Sequence, residues 1–164
     1  MSLSFMNAAN KPYLSLIIWI VALIAIGGVI GSLSKPEIST WYSTLNRSTL
    51  TPPNYVFPIA WTVLYGIIGA CGWLIWLPQA FPKLAAIKTV YVTQLILNWS
   101  WTSLFFGLHL TGMSLMVLVA MDILVCALIC LAYRRMKLVS LLMIPYMSWI
   151  LFATYLNLYI WWCH

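Results

Sequence analysis

Acidic residues are nearly absent: Glu37 and Asp122 are the only two in 164 residues. Eight Lys and Arg join them, so charged residues make up 6% of the chain and apolar residues 64%. Soluble globular domains carry roughly 25% charged and about 45–50% apolar residues. A soluble fold of this length needs a polar surface that so few charges cannot cover. The net charge of +6 does not mark a nucleic-acid binder either. The basic residues are dispersed, fall mostly between apolar runs and form neither a stripe nor a recognition motif. They read as topology signals and as contacts to anionic lipid head groups.

Other absences exclude chemistry. The four cysteines, Cys71, Cys126, Cys130 and Cys163, form no CxxC pair, and three lie inside apolar runs. A disulfide framework and a zinc site are not expected. Cys126 and Cys130 share a helix face with Asp122 and read as small packing residues. The two histidines, His109 and His164, fall at loop or end positions, which leaves no His to ligate a haem deep in a bilayer. No Ser-His-Asp set, HExxH or phosphate loop occurs. No metal, cofactor or firm catalytic residue is expected.

What the sequence has in quantity is long apolar runs. A helix needs about 20 apolar residues to cross ~30 Å of hydrocarbon. Five runs qualify: 13–33, 56–77, 84–106, 111–133 and 138–162. The expected fold is therefore an all-α membrane protein, a single domain over 1–164 made of five transmembrane helices. The first run is longer than a signal-peptide core and lacks a clean cleavage site, so it is read as a retained span. The breaks begin at Lys35-Pro36-Glu37, run from Pro78 to Lys83 and from Gly107 to Gly112, and cover Arg134 to Lys137. The connection 34–55 is much longer than the others, as loops with a task such as covering a site often are. Lys11, Lys83, Lys88, Arg134, Arg135 and Lys137 fall on one side of this arrangement, and Lys35 and Arg47 on the other. The positive-inside rule then places the N-terminus inside, and the long loop and C-terminus outside. Trp41, Tyr55, Trp76, Tyr133, Trp161 and Trp162 sit near span ends, where amphipathic rings favour the interface.

Lipid-facing helices can be built from Leu, Ile and Val, yet this chain holds ten Trp and nine Tyr. Many are mid-span, among them Trp61, Tyr65, Trp101, Tyr146 and Trp149. Gln94, Asn98, Asp122 and Asn157 lie at similar depth. Amides in hydrocarbon need partners, so they should face the bundle interior. Gln94, Asn98 and Trp101 are spaced i, i+4, i+7, with Phe105 continuing that face. Trp149, Ala153, Leu156 and Asn157 form one face of the last span, and Trp61 and Tyr65 pair at i, i+4. Three such faces brought together make an apolar pocket with few polar anchors, suited to flat, greasy small molecules. The alternative is that these rings and amides only join helices. Asp122, the one acid inside a span, reads as a packing hydrogen-bond partner rather than a proton-coupling group. Gly27 and Gly31, and Gly66, Gly69 and Gly72, offer small-residue faces for close helix contact.

Particular strings then carry a resemblance. Trp41 to Arg47, Thr51-Pro52-Pro53, Val56-Phe57-Pro58 and Trp61 closely resemble the translocator protein family, whose bacterial members are called tryptophan-rich sensory proteins. Gln94 to Trp101 with Phe105-Phe106-Gly107, the acid Asp122, and Pro145-Tyr146 through Trp149 to Asn157 are similar to later family motifs in the same order. The resemblance implies a five-helix bundle, usually a homodimer. It also implies a pocket under the first loop for porphyrins such as protoporphyrin IX, with sterols and benzodiazepine-type drugs as further ligands. Carried over by position, the pocket would include Tyr42, Trp61, Asn98, Trp101, Trp149, Ala153 and Leu156, with Arg47 holding a porphyrin carboxylate. The resemblance also implies an alternative, a light-dependent porphyrin-degrading enzyme working through Trp61 and Trp149. Three departures lie in the loop: Ser48 and Leu50 where the family has Pro and Trp, and Tyr55 in place of the Trp after the proline pair. Tyr159 is followed by no Lys or Arg, so the sterol-recognition pattern is incomplete.

Overall fold

The computed structural model describes residues 11–77 and 79–163. Pro78, part of the second break, and His164, counted at the C-terminus, lie outside the described residues. Among the described residues six helices follow in order: α1 (Lys11–Leu33), α2 (Lys35–Ser39), α3 (Val56–Trp76), α4 (Leu84–Thr102), α5 (Thr111–Ala132) and α6 (Lys137–Trp162). A 3₁₀ turn at Tyr42–Thr44 follows α2, and a π-turn at Ser103–Gly107 follows α4. No strand occurs among the described residues. Four helices among the described residues are long and apolar enough to cross a membrane: α1 from Tyr13, α3, α5 and α6. The 19-residue α4 is less apolar because it carries Lys88, Gln94 and Asn98.

The helix limits follow the sequence breaks, with one difference. The third run was expected to continue to 106 as one span, but α4 ends at Thr102 and widens into the π-turn. There the Leu108 N–H donates to the Ser103 carbonyl at 3.0 Å, five residues back. His109 then takes a positive φ of 56° and turns the chain into α5. The wider turn swings Phe105 inward, where it is buried with Tyr42. Such turns inside helices often mark functional positions.

The segment 34–55 is not a bare loop. Pro36 sits in the first turn of α2, where its missing N–H costs nothing and its fixed φ suits a helix. Farther on, the buried Ser48 hydroxyl lies 2.8 Å from the Tyr155 hydroxyl on α6 and accepts the Leu50 N–H. The segment is thereby tied across the end of the bundle.

Helices pack most extensively as α5 on α6, α1 on α3, and α4 on α5; α3 also meets α6, while α4 touches α1 and α3 only lightly. In hydrocarbon the helices gain little from hiding apolar surface, so close packing and interhelical hydrogen bonds must hold them. Gly69 shows the first effect. A Cβ there would lie 2.8 Å from the Ile20 Cα, so only glycine allows the backbones of α1 and α3 to approach. The core is sealed by residues such as Ile68, Tyr91, Met121, Leu128, Met143 and Tyr146, all 1% exposed or less.

Candidate functional site

A cavity of about 550 Å³ opens where α4 stands away from α1 and α3. Its walls come from α1, α3, the end of α4 with the π-turn, and α6; α2 and Tyr42 form its roof. Ligand pockets for drug-sized molecules run from about 300 to 1,000 Å³. The size is that of a binding site rather than a packing defect.

Of the residues expected from sequence, Tyr42, Trp61, Asn98, Trp101, Ala153 and Leu156 line this cavity. Trp149 does not. It sits one turn before Ala153, with its ring against Phe57 and Phe152 at centroid distances of 6.1 and 5.9 Å. Arg47 also lies off the wall. It borders a separate open groove along residues 45–54, and its guanidinium carbon rests 5.1 Å from the Tyr42 ring centroid. Its contact with the Tyr42 ring steadies the roof. Burial pushes the Tyr42 phenol up from its ordinary pKa, and the Arg47 charge and hydrogen bond oppose the rise. The phenol is neutral at physiological pH.

The amides are placed by hydrogen bonds that join several helices. Tyr65 on α3 donates to Asn98 Oδ1 at 2.6 Å. Asn98 Nδ2 donates to the Tyr146 hydroxyl at 3.1 Å, and Tyr146 donates to Gln94 Oε1 at 2.8 Å. Closer to the roof, Asn157 Oδ1 accepts from Trp101 Nε1 at 3.2 Å and from the Ser114 hydroxyl at 2.9 Å. Asn157 Nδ2 donates to the Thr111 carbonyl at 2.8 Å. Asn98 and Asn157 thus reach the cavity wall with their orientation fixed. Gln94, expected on the same face, is fully buried behind them and outside the wall. Asp122 faces α6, not the cavity, and accepts from the Thr154 hydroxyl at 2.8 Å.

The roof is latched by a cluster that sequence reading did not assemble. Glu37 Oε2 lies 3.1 Å from His109 Nε2, and the Trp41 ring stacks on His109 at 4.1 Å. Trp41 also meets Phe105 edge-on at 5.3 Å. Sequence reading also missed the wall from α1. Gly27 abuts the Tyr65 ring, while Gly28 and Gly31 leave open space in front of them. The signal in the sequence is the run of glycines itself, which fits a helix-contact motif equally well. Among the described residues no group of His, Cys, Asp and Glu is placed to hold a metal.

The chain is 39% identical over 144 residues to the tryptophan-rich protein TspO of Archaeoglobus fulgidus, covering 88% of this chain and 93% of the relative. It is 32% identical over 123 residues to the translocator protein of Homo sapiens, covering 74% and 73%. It is 32% identical over 127 residues to the tryptophan-rich sensory protein of Cereibacter sphaeroides, covering 77% of each. A profile of the TspO/MBR family matches residues 19–163, and the chain belongs to that family of integral membrane proteins.

Proposed function

We propose that the protein is a five-span membrane receptor, a sensor or translocator, for porphyrins such as protoporphyrin IX and other flat apolar molecules. In this reading α4 is the fifth span, the N-terminus is inside, the roof faces outside, and the protein works as a homodimer in lipid. The observation that carries the proposal is the cavity. It is walled by Trp61, Tyr65, Trp101, Phe105 and Phe106 and anchored by only a few fixed polar groups such as Asn98 and Asn157. Flat rings gain stacking and edge contacts in such a space, and the amides supply orientation.

The degradative alternative needs an oxidisable indole beside the bound ring. Trp61 meets that requirement better than Trp149, whose ring is turned toward Phe57. Titration of the detergent-solubilised protein with protoporphyrin IX, followed by Trp fluorescence in the dark and then under illumination, tests both readings. A receptor gives saturable quenching in the dark, weakened by Asn98→Leu, and leaves the porphyrin intact in light. Consumption of porphyrin in light that is lost in Trp61→Phe favours the enzyme. An absence of saturable quenching rejects the porphyrin reading.

A further inference from the structure

We infer that Lys35 is the acid-recognising residue of the cavity, so that the preferred ligand carries a carboxylate on its apolar body. The inference rests on the binding role proposed above and deepens it. Lys35 is the one charged side chain among all those that line the cavity. It is exposed, stands at the first position of α2, and shares the lining with the polar Ser34 and Asn54.

Its charge is also free to act. Glu37 is the one acid near it in sequence, but residues two apart on a helix point to different sides. Ile38, three positions on from Lys35, shares its side and lines the cavity too. Glu37 instead faces His109. Asp122, the other acid, is engaged by Thr154 on α6. Among the described residues Lys35 has no ion-pair partner. An unpaired ammonium at the mouth of an aromatic cavity attracts an anion, and the ligand's flat body occupies the apolar interior. Arg47, the cation expected from sequence to do this, is held over Tyr42 and outside the wall.

Protoporphyrin IX and its dimethyl ester share one ring system and differ in charge, so the pair isolates the acid contact. Both are titrated against the full-length detergent-solubilised protein, wild type, Lys35→Gln, Lys35→Arg and Arg47→Gln. A charge-assisted contact predicts that Lys35→Gln weakens the free acid about five- to tenfold and leaves the ester unchanged. Lys35→Arg restores most of the loss, and added salt erodes the wild-type preference for the acid. The unchanged ester also shows that the variant is folded. If both forms bind and Lys35→Gln leaves the acid unaffected, or if only Arg47→Gln weakens it selectively, this inference falls and the receptor reading stands. If neither form binds the wild type, the porphyrin reading fails and the inference fails with it.

Discussion

Asn98 uses both ends of its amide, accepting from Tyr65 and donating to Tyr146 while its side chain borders the cavity. Interhelical hydrogen bonds in membranes are each worth about 0.6 kcal/mol on average and at most ~1.7. Asn98→Leu removes two of them, taking the acceptor from the buried Tyr65 hydroxyl and leaving the Tyr146 hydroxyl with its bond to Gln94. We expect about 1–3 kcal/mol of lost stability, read as a lower thermal unfolding midpoint in detergent, together with weaker porphyrin quenching. Tyr65→Phe removes one bond and should cost about half as much. A stability loss for Asn98→Leu no larger than that for Tyr65→Phe would show that the Tyr146 contact contributes nothing. That Asn98 faces inward was legible in its spacing with Trp101. Its partners were not, because no pattern within α4 reveals which tyrosines of α3 and α6 lie at the same depth. The same limit explains Trp149. Its spacing to Ala153 places both near one face, but a helix face is broad, and the ring turns toward Phe57.

At the scale of elements, the roof is the part the sequence described least. Its length and its Trp, Tyr and Pro residues marked the segment 34–55 as purposeful, and the resemblance placed a pocket beneath it. The latch joins Glu37 to His109 across more than seventy positions, and a local pattern carries no trace of such a contact. The exposed Glu37–His109 contact contributes about 0–1 kcal/mol, and the stack of Trp41 on His109 adds about 0.5–1.5 kcal/mol. His109→Ala removes both. We expect amide hydrogen exchange across residues 35–45 to quicken by roughly tenfold, the factor that follows from about 1.4 kcal/mol, and bound porphyrin to dissociate faster. Glu37→Gln keeps the stack and should give a smaller change. Unaltered exchange in His109→Ala would mean that α2 is held by Ile38 and Tyr42 alone. A different element tests the packing of the walls. Gly69→Leu drives a side chain into the α1 backbone, so it should cost about 1–3 kcal/mol and distort the cavity wall that α1 supplies.

For the whole molecule, the uneven packing of α4 matters most. It is well seated on α5 but only lightly against α1 and α3, and the cavity fills part of the space between them. Run lengths and charge breaks revealed the helices, yet they could not reveal this gap, because it depends on which helices are neighbours. α3 and α4 follow one another in sequence, but α3 packs mainly on α1 and α6. A gap in the bundle forfeits the dispersion contacts that hold membrane helices together. A ligand that fills it restores them and binds only the folded state. At a hundred times its dissociation constant such a ligand stabilises the fold by about 2.7 kcal/mol. Saturating protoporphyrin IX should therefore raise the unfolding midpoint of the solubilised protein. The protection from hydrogen exchange should be concentrated in the last turns of α4 and the facing part of α1, rather than spread evenly over α5 and α6. Even protection would place the ligand on the outer, lipid-facing surface. Protection confined to the cavity walls would make α4 the element whose seating reports occupancy. An apolar ligand could then be sensed without any large movement of the remaining helices.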